Sequence, residues 1–132
     1  MDGPKASQLI YEVSVQVDKK IVVEWEKWIV EHINQIVSLD NGTLFSKGHL
    51  CKLDQSFDSA NETDCSHIGF VIHYYSNSKQ CLNTYFDKHA PLLRKDGLDR
   101  FGDQFKATRR VFVIEKEITA PPPQSSSFGY VF

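Results

Sequence analysis

Residues 9–17 read Leu-Ile-Tyr-Glu-Val-Ser-Val-Gln-Val, with Leu9, Tyr11, Val13, Val15 and Val17 on one side and Glu12, Ser14 and Gln16 on the other. A period of two describes a half-buried strand. At Asp18 the period changes. Ile21, Trp25, Trp28, Ile29, His32, Ile33, Ile36 and Val37 recur every three or four residues, the spacing of one helix face at about 3.6 residues per turn. Asp18 stands where an N-cap would, and Asp40-Asn41-Gly42 is a turn sequence, so a helix is predicted over 20–38. A strand with one apolar face followed by a helix with one apolar stripe requires a sheet covered by a helix layer.

The rest of the chain repeats the theme. Thr43–Leu53 reads as a second strand weakened by Gly48, residues 54–66 as a polar loop, and His67–Tyr75 as a third strand rich in aromatic and β-branched residues. Ser76-Asn77-Ser78 caps a second helix over 78–95, in which Pro91 removes a hydrogen bond and predicts a break. Phe105–Ile118 is a fourth strand, with Ala107, Val111 and Val113 on one face and Arg110, Phe112 and Ile114 on the other. The order β-α-β-β-α-β is the α+β, ferredoxin-like split βαβ. Its four-stranded antiparallel sheet takes the order 4-1-3-2 with both helices on one face. The expected organisation is an N-terminal arm over 1–8, the domain over 9–118 and a tail over 119–132 carrying Pro121-Pro122-Pro123 and Ser125-Ser126-Ser127.

The uncovered face of this sheet is too apolar for water. Ile68, Phe70, Ile72 and Tyr74 lie on one side of the third strand, yet Val71 and Tyr75 lie on the other, and the fourth strand sets Phe112 and Ile114 opposite Val111 and Val113. A second copy of the same sheet supplies the missing cover, so a homodimer is expected. The competing cover is the chain's own end, Phe128-Gly129-Tyr130-Val131-Phe132.

Composition narrows the partners. A net charge of −2 over 132 residues argues against nucleic acid. No apolar run approaches the roughly 20 residues of a membrane span. The polar start with Pro4 does not read as a signal peptide, and Cys51, Cys65 and Cys81 show no CxxC spacing, so reduced thiols and a cytoplasmic location are expected. The sequons at Asn41 and Asn61 are then turn sequence.

Tyr11-Glu12-Val13, Trp25-x-x-Trp28-x-x-x-His32 and the run Tyr85-Phe86-Asp87-Lys88-His89-Ala90-Pro91 through Gly97-Leu98, Arg100-Phe101-Gly102-Asp103-x-Phe105 and Arg109-Arg110-Val111 resemble the domain-of-unknown-function 4286 family. The resemblance covers residues 10–114, with 89–110 its most specific part. It implies a ferredoxin-like fold, dimerisation and membership of the dimeric α/β-barrel superfamily. That superfamily includes cofactor-independent monooxygenases, haem-degrading enzymes, isomerases, polyketide cyclases and binding modules. The polar insertion at 54–66, the longer start and the Pro/Ser tail depart from the family pattern.

Candidate site residues follow from polar groups on apolar faces. His32 and His89 sit on helix stripes and are the candidate acid–base groups. Tyr11 is the one residue of its strand face with a polar tip, Trp28 offers a planar wall, and Arg109 interrupts the set Ala107, Val111 and Val113. These three are the candidate ligand-binding residues, in a cleft between the first helix and the sheet. Glu12 faces away from Tyr11 and suits Arg110 better than Arg109. The pairs His49/Cys51 and Cys65/His67 carry zinc-type ligands, and a hairpin would place Cys51 near His67. That pairing sends His49 away from Cys65, so no metal site is expected. Without a phosphate-cradling glycine loop, GxSxG or HExxH, no cofactor is expected. Two functions stay open: a dimer binding a small apolar or aromatic molecule, as a cofactor-independent monooxygenase, isomerase or cyclase does, and a non-catalytic module docking a protein through its sheet edge or C-terminal tail.

Overall fold

β1 (Leu9–Asp18) is paired on both sides, antiparallel to β3 (His67–Ser76) and to β4 (Phe105–Val113), and β2 (Phe45–Lys52) completes the sheet outside β3. The computed structural model describes residues 8–57 and 66–123. The sheet order is 2-3-1-4, the expected arrangement read from the other edge, and every pairing is antiparallel. In register, Tyr11 meets Tyr74 and Val15 meets Phe70. This aligns the apolar face of β1 with that of β3. Leu9, Tyr11, Val13, Val15 and Val17 are all buried, each such side chain contributing about 1.5–3 kcal/mol by leaving water.

The helices cover that face alone. α1 (Val22–Ser38) sends Trp25, Ile29 and Ile36 into the core, α2 (Lys79–Lys88) sends Leu82 and Tyr85, and α3 (Ala90–Phe101) sends Leu93 and Phe101. Trp25 rests on Phe70 with ring centroids 4.8 Å apart. Asp18 does cap, its Oδ1 accepting from Lys20 N at 2.9 Å, but the turn it opens is the 3₁₀ turn Lys19–Ile21, and α1 starts after it. Ser78 caps α2, its Oγ accepting from Cys81 N at 3.1 Å.

Other boundaries also differ from the sequence pattern, each for a local reason. β2 begins at Phe45 rather than Thr43 because Thr43 closes the preceding turn. Its N–H and hydroxyl both donate to Asp40 O, at 3.2 and 2.7 Å. That turn holds Asp40, Asn41 and Gly42 at φ of 50°, 58° and 75°, left-handed values that Asp, Asn and Gly tolerate best. The break predicted at Pro91 divides the second helix into α2 and α3, and α3 runs on to Phe101 where an end near 95 was expected. Pro91 cannot donate a hydrogen bond, and it takes the first-turn position of α3 where no donor is needed. β4 stops at Val113, not Ile118, because its sole neighbour ends there: Val113 pairs with Leu9, and Ile114 N makes the last bond, to Gln8 O at 2.9 Å. Residues 115–123 form no strand or helix and are exposed; Ser125–Phe132 lie outside the described residues.

Gly102 ends α3 at φ 58° and ψ −129°, a region essentially closed to residues with a Cβ. A Cβ added there meets nothing within 4 Å, so any cost is conformational. Gly102→Ala should lower the unfolding free energy by about 1–3 kcal/mol, read by urea denaturation; an unchanged midpoint would contradict this account of the α3–β4 connection.

Candidate functional site

A cleft opens where α1 and α3 cross the β1–β4 half of the sheet. Gly97 sets the approach of α3, since a Cβ there would lie 2.9 Å from Cη2 of Trp28. Trp28 is held in turn, donating from Nε1 to Asp96 Oδ2 at 3.2 Å and stacking on His32 with centroids 4.5 Å apart and planes at 26°. An inner cavity of about 50 Å³ touches Tyr11, Trp28, His32, Tyr74, Tyr85 and Arg109 among others. A mouth of about 180 Å³ adjoins it, lined by Arg94, Leu98, Phe105, Ala107 and Arg109.

The cleft is apolar with a few aimed polar groups. His32 Nδ1 and Trp25 Nε1 are buried without a hydrogen-bond partner, and both residues line the inner cavity. A buried polar atom left in that state costs about 1–3 kcal/mol. Burial pushes the His32 imidazole below its ordinary 6.5, opposed by the charge of Asp96, so it is neutral at pH 7. Burial also pushes the phenols of Tyr74 and Tyr85 up, which keeps them protonated. Tyr11 stacks near Tyr74 at 5.7 Å and accepts from Arg94 Nη2 at 3.2 Å.

Of the candidate residues, Tyr11, Trp28, His32 and Arg109 all line the inner cavity. His89 does not join them. It occupies the α2–α3 junction, where its Nε2 lies 3.3 Å from Asp40 Oδ1, an ion-pair distance without hydrogen-bond direction. Its place is a tie between that junction and the turn after α1. The residue that sequence reasoning missed is Arg94. It lies four residues after buried Ala90 and three before buried Gly97, a helical spacing that points it inward.

On the other face, Glu12 is only 8 % exposed and accepts from Arg110 Nε at 2.6 Å, with His73 Nε2 at 2.8 Å from its second oxygen. Strand order and register set His49, His73, Glu12 and Arg110 side by side across the sheet. The Arg110 hydrogen bond, then that of His73, holds the Glu12 carboxyl below its ordinary 4.5 against the opposing effect of burial. Cys51 faces Val71 rather than His67, because the β2–β3 register runs four residues away from the expected one. Among the described residues no three His, Cys, Asp or Glu side chains converge as a metal site; Cys65 and Asn61 lie outside them.

The architecture is that of a ferredoxin-like α+β protein. The model of the family described as a domain of unknown function (DUF4286) matches residues 8–115, and the chain belongs to that family. Among solved structures, it is similar to a dimeric ferredoxin-like protein from an uncultured marine organism, at 8 % identity and a TM-score of 0.54, over 85 % of this chain and 99 % of that one. A de novo designed protein, Foldit4, aligns at 10 % identity and a TM-score of 0.47, over 83 % and 99 % of the two chains. No curated protein matches the chain. No helix among the described residues is long and apolar enough to cross a membrane.

A carboxyl held below its unfolded value contributes stability that is complete above that value and is lost as pH falls through the folded one. The stability difference between wild type and Glu12→Gln should therefore be largest above pH 4.5 and shrink on acidification below it. Urea unfolding across a pH series checks this, and a difference independent of pH would contradict it.

Proposed function

We propose that this protein is a homodimer, joined through the uncovered sheet face, that binds a small aromatic or apolar molecule in the cleft between α1, α3 and the sheet. The observation that carries the binding reading is the set of unmatched polar groups on an otherwise apolar cleft. Arg109 has no ion pair or hydrogen bond among the described residues, and His32 Nδ1 has no partner. Few, placed polar groups in an apolar concavity are the usual make-up of a small-molecule site. The described lining offers an imidazole, phenols and guanidinium groups around an apolar wall, and binding is the function these groups support first.

The dimer reading rests on the sheet. Val71, Tyr75 and Phe112 share with the Glu12 network the face opposite the helices, and residues 115–123 are themselves exposed. Self-complementary pairing of one patch about a two-fold axis is the commonest solution, and the marine ferredoxin-like neighbour is described as dimeric. A second reading is docking of a protein strand at the sheet edge. It is favoured by β4, an edge strand on which Val111, Phe112 and Val113 are 43, 41 and 49 % exposed.

Native mass spectrometry of the protein from its own source reads stoichiometry and ligand together. The expected species has twice the 15.1 kDa chain mass plus a small co-purifying molecule, and Phe112→Asp should return it to chain mass with the fold intact by circular dichroism. A bare species of 15.1 kDa at micromolar concentration would contradict both parts.

A further inference from the structure

Two guanidinium groups from different elements, Arg94 of α3 and Arg109 of β4, line both the inner cavity and its mouth. Both are close enough to Tyr85 for their charge to favour its ionised form. Neither meets an acid among the described residues. Arg94 donates to the Tyr11 hydroxyl and stands 6.0 Å from the Phe86 ring, while Arg109 makes no bond among the described residues. Nearby cations are treated differently by the fold: Lys95 is paired with Asp99 at 2.6 Å and Arg110 with Glu12 at 2.6 Å. The mouth between the two arginines is floored by Leu98, Phe105 and Ala107, and its volume of about 180 Å³ is close to that of cavities, about 150 Å³, that take a single benzene ring.

We infer that the mouth is an organic-anion site selective for a monocyclic aromatic carboxylate, the carboxylate held between Arg94 and Arg109 and the ring lying on Leu98, Phe105 and Ala107. The inference rests on the binding reading of the cleft and adds the ligand's charge and size. Guanidinium is the side chain suited to a planar two-oxygen anion, because its N–H donors match the carboxylate in a fork. The apolar lining then separates an aromatic acid from a simple salt anion.

Calorimetric titration of the full chain with benzoate, benzyl alcohol and acetate tests it, with the Leu98 and Ala107 methyl resonances locating the site. Benzoate should bind and shift those methyls, and benzyl alcohol and acetate should each bind about tenfold more weakly or worse, the scale of one charge-assisted contact. Arg109→Gln should weaken benzoate by about tenfold while leaving benzyl alcohol and the melting temperature unchanged, and Arg94→Gln, which also withdraws the bond to the buried Tyr11 hydroxyl, should weaken benzoate by about tenfold relative to benzyl alcohol measured on the same variant. Arg109 is exposed and makes no bond among the described residues, so its variant does not threaten the fold. Benzyl alcohol binding as tightly as benzoate would overturn the anion assignment and leave the cleft as a binding site. Acetate binding as tightly as benzoate, or benzoate insensitive to both substitutions, would also overturn it. If no probe binds, the cleft reading falls with it.

Discussion

Everything in this molecule depends on β1 being hydrogen-bonded along both edges while its side chains alternate between two environments. A one-residue slip would turn Tyr11, Val13 and Val15 out and bring Glu12 in. The register prevents this on both sides at once, pairing Tyr11 with Tyr74 and Val111, and Glu12 with His73 and Arg110. Apolar burial on one face and the Glu12 ion network on the other favour the same alignment. The charged network is thus a specificity device as much as a source of stability. Arg110 is 69 % exposed at its side chain, and exposed pairs contribute little by themselves.

The cleft is a consequence of how the second crossover is built. Pro91 splits it into α2 and α3, so that α3 is free to settle against Trp28 at Gly97 and to present Arg94. β4, reached through the turn at Gly102, lies at the sheet edge beside β1 alone. The helix layer is thinner over this edge, which leaves Val111 and Val113 near half exposure and Arg109 beside a gap. The polar groups of the site sit where packing is incomplete. The densely packed half, under β3 and β2, carries Phe45, Ile72 and Ser76 fully buried.

Much of this was legible in the residues. The alternation of 9–17 and the three-four spacing of 21–37 named β1 and α1, and handed crossovers then left a single strand order. The same alternation, with β4 beside β1, foretold that Glu12 would take Arg110 and leave Arg109 to the helix side. What escaped depended on register or on helix phase. His73 joins Glu12 only because the β1–β3 pairing sets them opposite, which no local pattern reveals. Arg94 stood in the last turn of a helix thought to end at 95, so its inward phase carried no weight until α3 ran on to Phe101. Helical spacing continued from Tyr85 puts His89 on an apolar stripe of the second helix. It stands at the junction with φ −120° and ψ −39°, and belongs to the phase of neither helix.

The central claim is that β1 divides the protein into a helix-covered face that holds a ligand and a bare face that holds a second copy. Line broadening by a soluble paramagnetic agent measures the second half directly. Phe112 on the bare face and Val30 on the outer side of α1 are 41 and 49 % exposed in a single chain, so in a monomer they should broaden alike. The account predicts that Val30 broadens at every protein concentration, whereas Phe112 is protected until dilution separates the two copies. Equal broadening of the two would contradict it.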